Sequence, residues 1–186
     1  MINNQSLQFI RPLCWEEVFL FWYEGEGKNP NWINLAKERG FASWADWRLK
    51  GYAERFQCAN AKWGLYEIAK PGEIVSDWFG GPFRTWIERH YSGAKTKTFG
   101  ELANQADVYE HAGIKSMTEN YPKDSIITAL KLTDGRIVVI EGSHRACALA
   151  VMAKNGQDYP DKLIFAIGES DLSDLPIVGQ NTEKNI

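Results

Sequence analysis

Between Ser125 and Gly156 the chain reads SIITALKL, TDG, RIVVIE, GSHR and ACALAVMAKNG in direct succession, and no other feature constrains the fold as strongly. Two β-rich runs flank Thr133-Asp134-Gly135, the clearest hairpin signal in the sequence. Gly142 then lets the backbone turn. Ala146, Leu149, Ala150 and Ala153 follow at helical spacing, and Gly156 supplies a stop. The pattern predicts a β-hairpin over 125–141 and a helix over 144–155 packed against it, which makes the fold class α/β with a small mixed sheet.

The first half has a different character. All eight Trp, and 20 of the 24 aromatic residues, lie in the first 100 positions. Trp15, Val18, Phe19 and Trp22 form one helical stripe, and GEGKNPN after it reads as a loop. Trp32 to Arg39 predicts a short helix ending at Gly40. Ser43 offers an N-cap to a further helix with Ala45, Leu49, Tyr52 and Phe56 inward. Stripes of this kind are read as core rather than as stacking platforms.

Further on, Trp63 to Ile68 predicts a strand closed by a Pro71-Gly72 turn, and Pro82 starts a helix carrying Phe83, Trp86, Ile87 and His90 on one face. His90 reads as a satisfied core or edge residue. Thr98 and Glu101 match a capping box, Leu163 to Ile167 predicts another strand, and the polar run from Glu169 to Ile186 reads as a frayed tail. The organisation expected is a helical N-terminal extension over 1–60, an α/β domain over 61–168 and a flexible C-terminal tail over 169–186.

Composition narrows the function classes. Residues 1–100 hold 13 basic and 11 acidic side chains, residues 101–186 hold 8 and 13, and the formal charge is −3, so a strong basic field for nucleic acid is missing. MINNQSLQFIRPL lacks the basic start and apolar run of a secretory signal, and no stretch approaches the roughly 20 apolar residues that span a bilayer. A soluble, cytoplasmic protein with no membrane partner is expected. Cys14, Cys58 and Cys147 fit neither a disulfide framework nor a zinc spacing and read as reduced thiols.

The chemistry concentrates at Gly142, Ser143, His144 and Arg145. A helix N-terminus presents unpaired N–H groups and partial positive charge to an anion. Arg145 adds a planar fork suited to phosphate, His144 can donate to a phosphate oxygen, and Ser143 can cap the helix or contact a ligand. As a first-turn residue outside the apolar face, Arg145 is expected to contribute little to packing. The same four residues also read as a capped turn without a ligand.

Residues 119–156 resemble the ParB/sulfiredoxin-like superfamily, of the ParB-like nuclease domain type, in which a hairpin with a DG-type turn leads into a Gly-x-[His/Arg]-Arg loop and an Ala-rich helix. The segment from Trp63 resembles the earlier part of that domain less closely, and the aromatic helices have no counterpart in it. The resemblance implies a loop that binds nucleotide phosphates at Gly142, Ser143, His144 and Arg145. Ser143 stands where sulfiredoxins carry a cysteine, and Cys147, four residues on, reads as a small buried residue. His144 stands where ParB partition proteins carry arginine, and the 30 residues after Gly156 leave no room for their helix-turn-helix region.

Free serine kinases of the same fold use a histidine and an arginine at this turn together with acidic residues. Nucleotide-dependent phosphoryl transfer or hydrolysis is therefore implied, with ATP or CTP and Mg2+ as cofactors, His144 as a catalytic group and Glu141 as base or magnesium ligand. Asp124 is the second acidic candidate, and Glu141 alternatively reads as an edge-strand charge facing water. The other expectation is a non-catalytic nucleotide or nucleic-acid binding module acting through a protein partner.

Overall fold

The computed structural model describes residues 7–179. Six strands form one mixed sheet: β1 (Leu7–Pro12), β2 (Lys62–Ala69), β3 (Phe79–Gly80), β4 (Ile127–Lys131), β5 (Ile137–Glu141) and β6 (Lys162–Glu169), in the order β1-β2-β6-β4-β5-β3. β2 lies antiparallel to β1 and β6, and β4 antiparallel to β5, while β4 with β6 and β3 with β5 are parallel. The predicted hairpin is β4-β5. Gly135 adopts φ +88° at its turn, where a side chain would be strained, and Asp134 Oδ1 accepts from the Arg136 N–H at 3.0 Å.

Nine α-helices occur among the described residues: α1 (Trp15–Trp22), α2 (Pro30–Glu38), α3 (Trp44–Arg48), α4 (Pro71–Ser76), α5 (Arg84–Arg89), α6 (Phe99–Leu102), α7 (Ala106–Tyr109), α8 (Ala112–Glu119) and α9 (Ser143–Lys154). None is long and apolar enough to cross a membrane. The sheet is covered on both faces, which is why RIVVIE reads as a nearly unbroken apolar run rather than an alternating one. Ile137 and Val139 point toward α9 and the small helices around it; Val138 and Ile140 point toward the aromatic helices. Trp22, Trp44 and Trp47 are buried in this second layer, and the Trp22 indole N–H donates to Thr128 Oγ1 of β4 at 3.0 Å. Of the predicted stripes, Val18, Trp22, Tyr52 and Phe56 are buried, and Trp15, Phe19, Ala45 and Leu49 pack half-buried against the same cluster.

Several local expectations are corrected. Part of the expected GEGKNPN loop is a π-helical turn, Tyr23–Gly27, running on from α1, and a second π turn, Leu49–Ala53, follows α3. The second turn changes the helical phase, so Trp44 and Trp47 are buried while Ala45 and Leu49 are only half-buried. Pro71 opens α4 rather than closing a turn, and α8 carries no counterpart among the predicted elements.

The expected three-part division also blurs. β1, inside the expected helical extension, is an edge strand of the sheet, and one apolar cluster takes residues from α1–α3 and from β4–β6 alike. Residues 170–179 of the expected tail are tied down. Leu172 O accepts from Thr133 N, Val178 N donates to Pro82 O, and Leu175 and Val178 are buried. The remaining tail residues, 180–186, lie outside the described residues.

Candidate functional site

β5 ends at Glu141, and the chain turns at Gly142 with φ +92°. A Cβ there would lie 2.9 Å from Arg145 Nη2 and 3.1 Å from Ile127 Cγ1, so both the dihedral and the close approach require glycine. Gly142 holds the capping position of α9, and Ser143, expected as a possible cap, is instead its first residue; no side chain caps the helix. The first-turn N–H groups of α9 therefore have no helical acceptor.

Arg145 does not reach outward. Its Nη2 lies 2.6 Å from both Glu141 oxygens, its Nη1 donates to Ile126 O at 3.1 Å, and the two side chains are only 11% and 9% exposed. The readings of Arg145 as a solvated or phosphate-facing residue and of Glu141 as a water-facing charge are thus replaced by a buried ion pair. The turn explains it: Gly142 brings the end of β5 beside the first turn of α9, and the Arg145 side chain folds back across the glycine to reach Glu141. Burial raises the proton affinity of Glu141 above the usual carboxylate range, while Arg145 opposes this. Tyr121, whose buried hydroxyl has no hydrogen-bond partner among the described residues, lies within electrostatic reach of the pair.

This pair lies at the base of a cleft of about 380 Å³, within the range of small-molecule sites, between the first turn of α9 and the aromatic helices. Glu26, from the first π turn, accepts from Arg48 Nε at 2.8 Å and from the Trp44 indole at 3.3 Å. The Arg48 guanidinium lies 4.2, 4.8 and 5.4 Å from the rings of Trp47, Tyr52 and Trp32. Arg39 lies over Trp47 at 4.9 Å and donates to the Tyr52 hydroxyl at 3.3 Å, yet no carboxylate pairs with it among the described residues.

On the α9 side, His144 lines the cleft beside Trp86, their ring centroids 5.3 Å apart. Burial first, then the neighbouring His111, His90 and Arg145, lower the His144 pKa to about 4, so its imidazole is neutral near pH 7. Cys147 is fully buried, and burial pushes its thiol up, in keeping with a small core residue. Asp124 is exposed, while Ser125 lines the cleft.

The structure thus brings Glu141, Gly142, Ser143, His144 and Arg145 to one cleft, but spends Arg145 and Glu141 on each other. Glu141 does not fit a magnesium ligand in this arrangement, because a guanidinium covers both its oxygens. No cluster of three His, Cys, Asp or Glu side chains arranged for a metal ion occurs among the described residues.

Glu26, Arg39 and Arg48 were not singled out by the sequence. A signal existed for two of them: Glu26 follows Trp22, and Arg48 follows Trp44, at the i+4 position of an apolar stripe, where a charge demands a partner. Comparison of the chain with protein-family models, with curated proteins and with solved structures gives no match.

Proposed function

We propose that the chain is a nucleotide-binding protein of ParB/sulfiredoxin type, with the phosphates at the first turn of α9 and the ring against the indole-lined wall. The observation that carries this reading is that Arg39, which has no carboxylate partner among the described residues, and the N-terminus of α9, which no described side chain caps, line the same cleft. Both favour an anion, and the half-buried Trp32 and Trp86 offer planar surface beside them. The role of charge partner, expected of Arg145, passes to Arg39. Three free cysteines fit a reducing compartment, the cytoplasm.

Binding without turnover is the form the geometry favours, because the acid expected as base is tied to Arg145. His144 supports the second reading, phosphoryl transfer or hydrolysis: a neutral imidazole on the cleft wall can accept a proton.

Titration calorimetry with ATP and CTP, with and without Mg2+, tests the assignment on wild type and Arg39→Ala. Saturable binding is expected, weakened by about 1.5–3 kcal/mol, or roughly 10- to 100-fold, in the variant. Absence of binding, or equal affinities, refutes it. Phosphate release on the same samples decides between the two forms.

A further inference from the structure

All three histidines of the chain meet beside this cleft. His144 is the second residue of α9, His111 caps α8 and His90 ends α5. The His144 and His111 rings stack with centroids 5.0 Å apart and planes 23° from parallel, and Trp86 lies against both His144 and His90, at 5.3 and 5.1 Å.

The titratable and charged groups that bear on His144 are His111 from the start of α8, His90 from the end of α5 and Arg145 from its own helix. Each is a cation or a proton acceptor. Asp107 of α7, the acid in the cluster, is held 2.6 Å from His90 Nδ1. Neither ring nitrogen of His144 has a hydrogen-bond partner among the described residues. An imidazole on a cleft wall, surrounded by groups that oppose its charge and lacking a carboxylate of its own, is completed by an anion.

Resting on the nucleotide reading above, we infer that anion binding in this cleft is coupled to the uptake of one proton by His144, which fits the site to a dianionic terminal phosphate. The proton comes from the buffer and goes to a ring nitrogen of His144; no other bond changes. In the free protein burial and its neighbours hold His144 at about 4. A dianion within hydrogen-bond distance opposes both effects and raises that value. Between the free and bound values each ligand takes up as much as one proton, so affinity rises as pH falls, by at most about tenfold per pH unit.

Sulfate is the probe, because its charge does not change over this range, with ATP alongside. The Cε1–H resonances of the three histidines are assigned with single His→Gln variants. At constant ionic strength, sulfate is expected to bind at least about 5-fold more tightly at about pH 5 than at about pH 7, with the His144 resonance titrating about two units higher when ligand is bound.

His144→Gln should lose this excess pH dependence. His111→Gln, at an exposed position, should keep the fold and move the midpoint upward by removing an opposing imidazole; circular dichroism checks both variants. If sulfate binds with the same affinity at both pH values, or His144→Gln retains the full dependence, the proton coupling is wrong while the nucleotide reading stands. If neither ligand binds at either pH, both fall together.

Discussion

Replacing Arg145 with alanine removes the one group that hydrogen-bonds the Glu141 carboxylate among the described residues. Both Glu141 oxygens lie 2.6 Å from Arg145 Nη2, and the Glu141 side chain is 9% exposed, so water cannot replace the guanidinium without opening the base of the cleft. Breaking a buried pair from one side costs about 3–5 kcal/mol, a large share of the 5–15 kcal/mol that holds a typical domain folded. For a chain of this size that corresponds to a fall in Tm of roughly 6–20 °C. The double variant Glu141→Gln/Arg145→Met removes both charges and should recover most of the loss, because what is costly is the orphaned charge and not the absence of the pair. Urea unfolding of Glu141→Gln, Arg145→Met and the double variant completes the cycle. An Arg145→Ala protein within about 0.5 kcal/mol of wild type, the range of an ordinary surface substitution, would show that Arg145 is the solvated first-turn residue its sequence position suggests.

Other consequences follow from single residues. Gly142→Ala should cost about 1–3 kcal/mol in denaturant unfolding, since its φ of +92° and the Arg145 guanidinium 2.9 Å from the added Cβ both resist a side chain. Tyr121→Phe should raise stability by about 1 kcal/mol in the same assay, by removing a buried hydroxyl that has no partner among the described residues. His144 has its pKa lowered to about 4 in the fold, against about 6.5 unfolded, so the unfolded chain binds more protons between those values. Stability should therefore fall by up to about 3 kcal/mol as pH drops from about 6.5 to about 4, and His144→Gln should flatten that limb in pH-dependent unfolding.

Much of the fold is legible in short stretches, because local rules act over a few residues. The β4-β5 hairpin follows from two β-rich runs around a DG turn, α9 from its alanine and leucine spacing, and the start of α6 from a Thr98–Glu101 capping box that the structure forms in full. The need for a glycine at 142 is legible in the same way, as a strand turning sharply into a helix. Phase errors begin where the backbone leaves regular geometry. The π turn at Leu49–Ala53 adds residues to a turn, and no propensity announces it.

The site divides along the same line. Sequence order alone places Glu141, Gly142, Ser143, His144 and Arg145 together, since they are consecutive. Whether Arg145 faces a ligand or an internal carboxylate depends on how much water reaches it, and that is decided by the aromatic helices closing over the sheet from more than 90 residues away. The same closure sets Arg39, Arg48 and Glu26 opposite α9, and the packing of α5 and α8 beside that helix gathers three histidines spaced over 54 positions. Backbone periodicity is a property of neighbours in the chain, whereas the burial of a charge, and hence its pairing and protonation, is a property of neighbours in space.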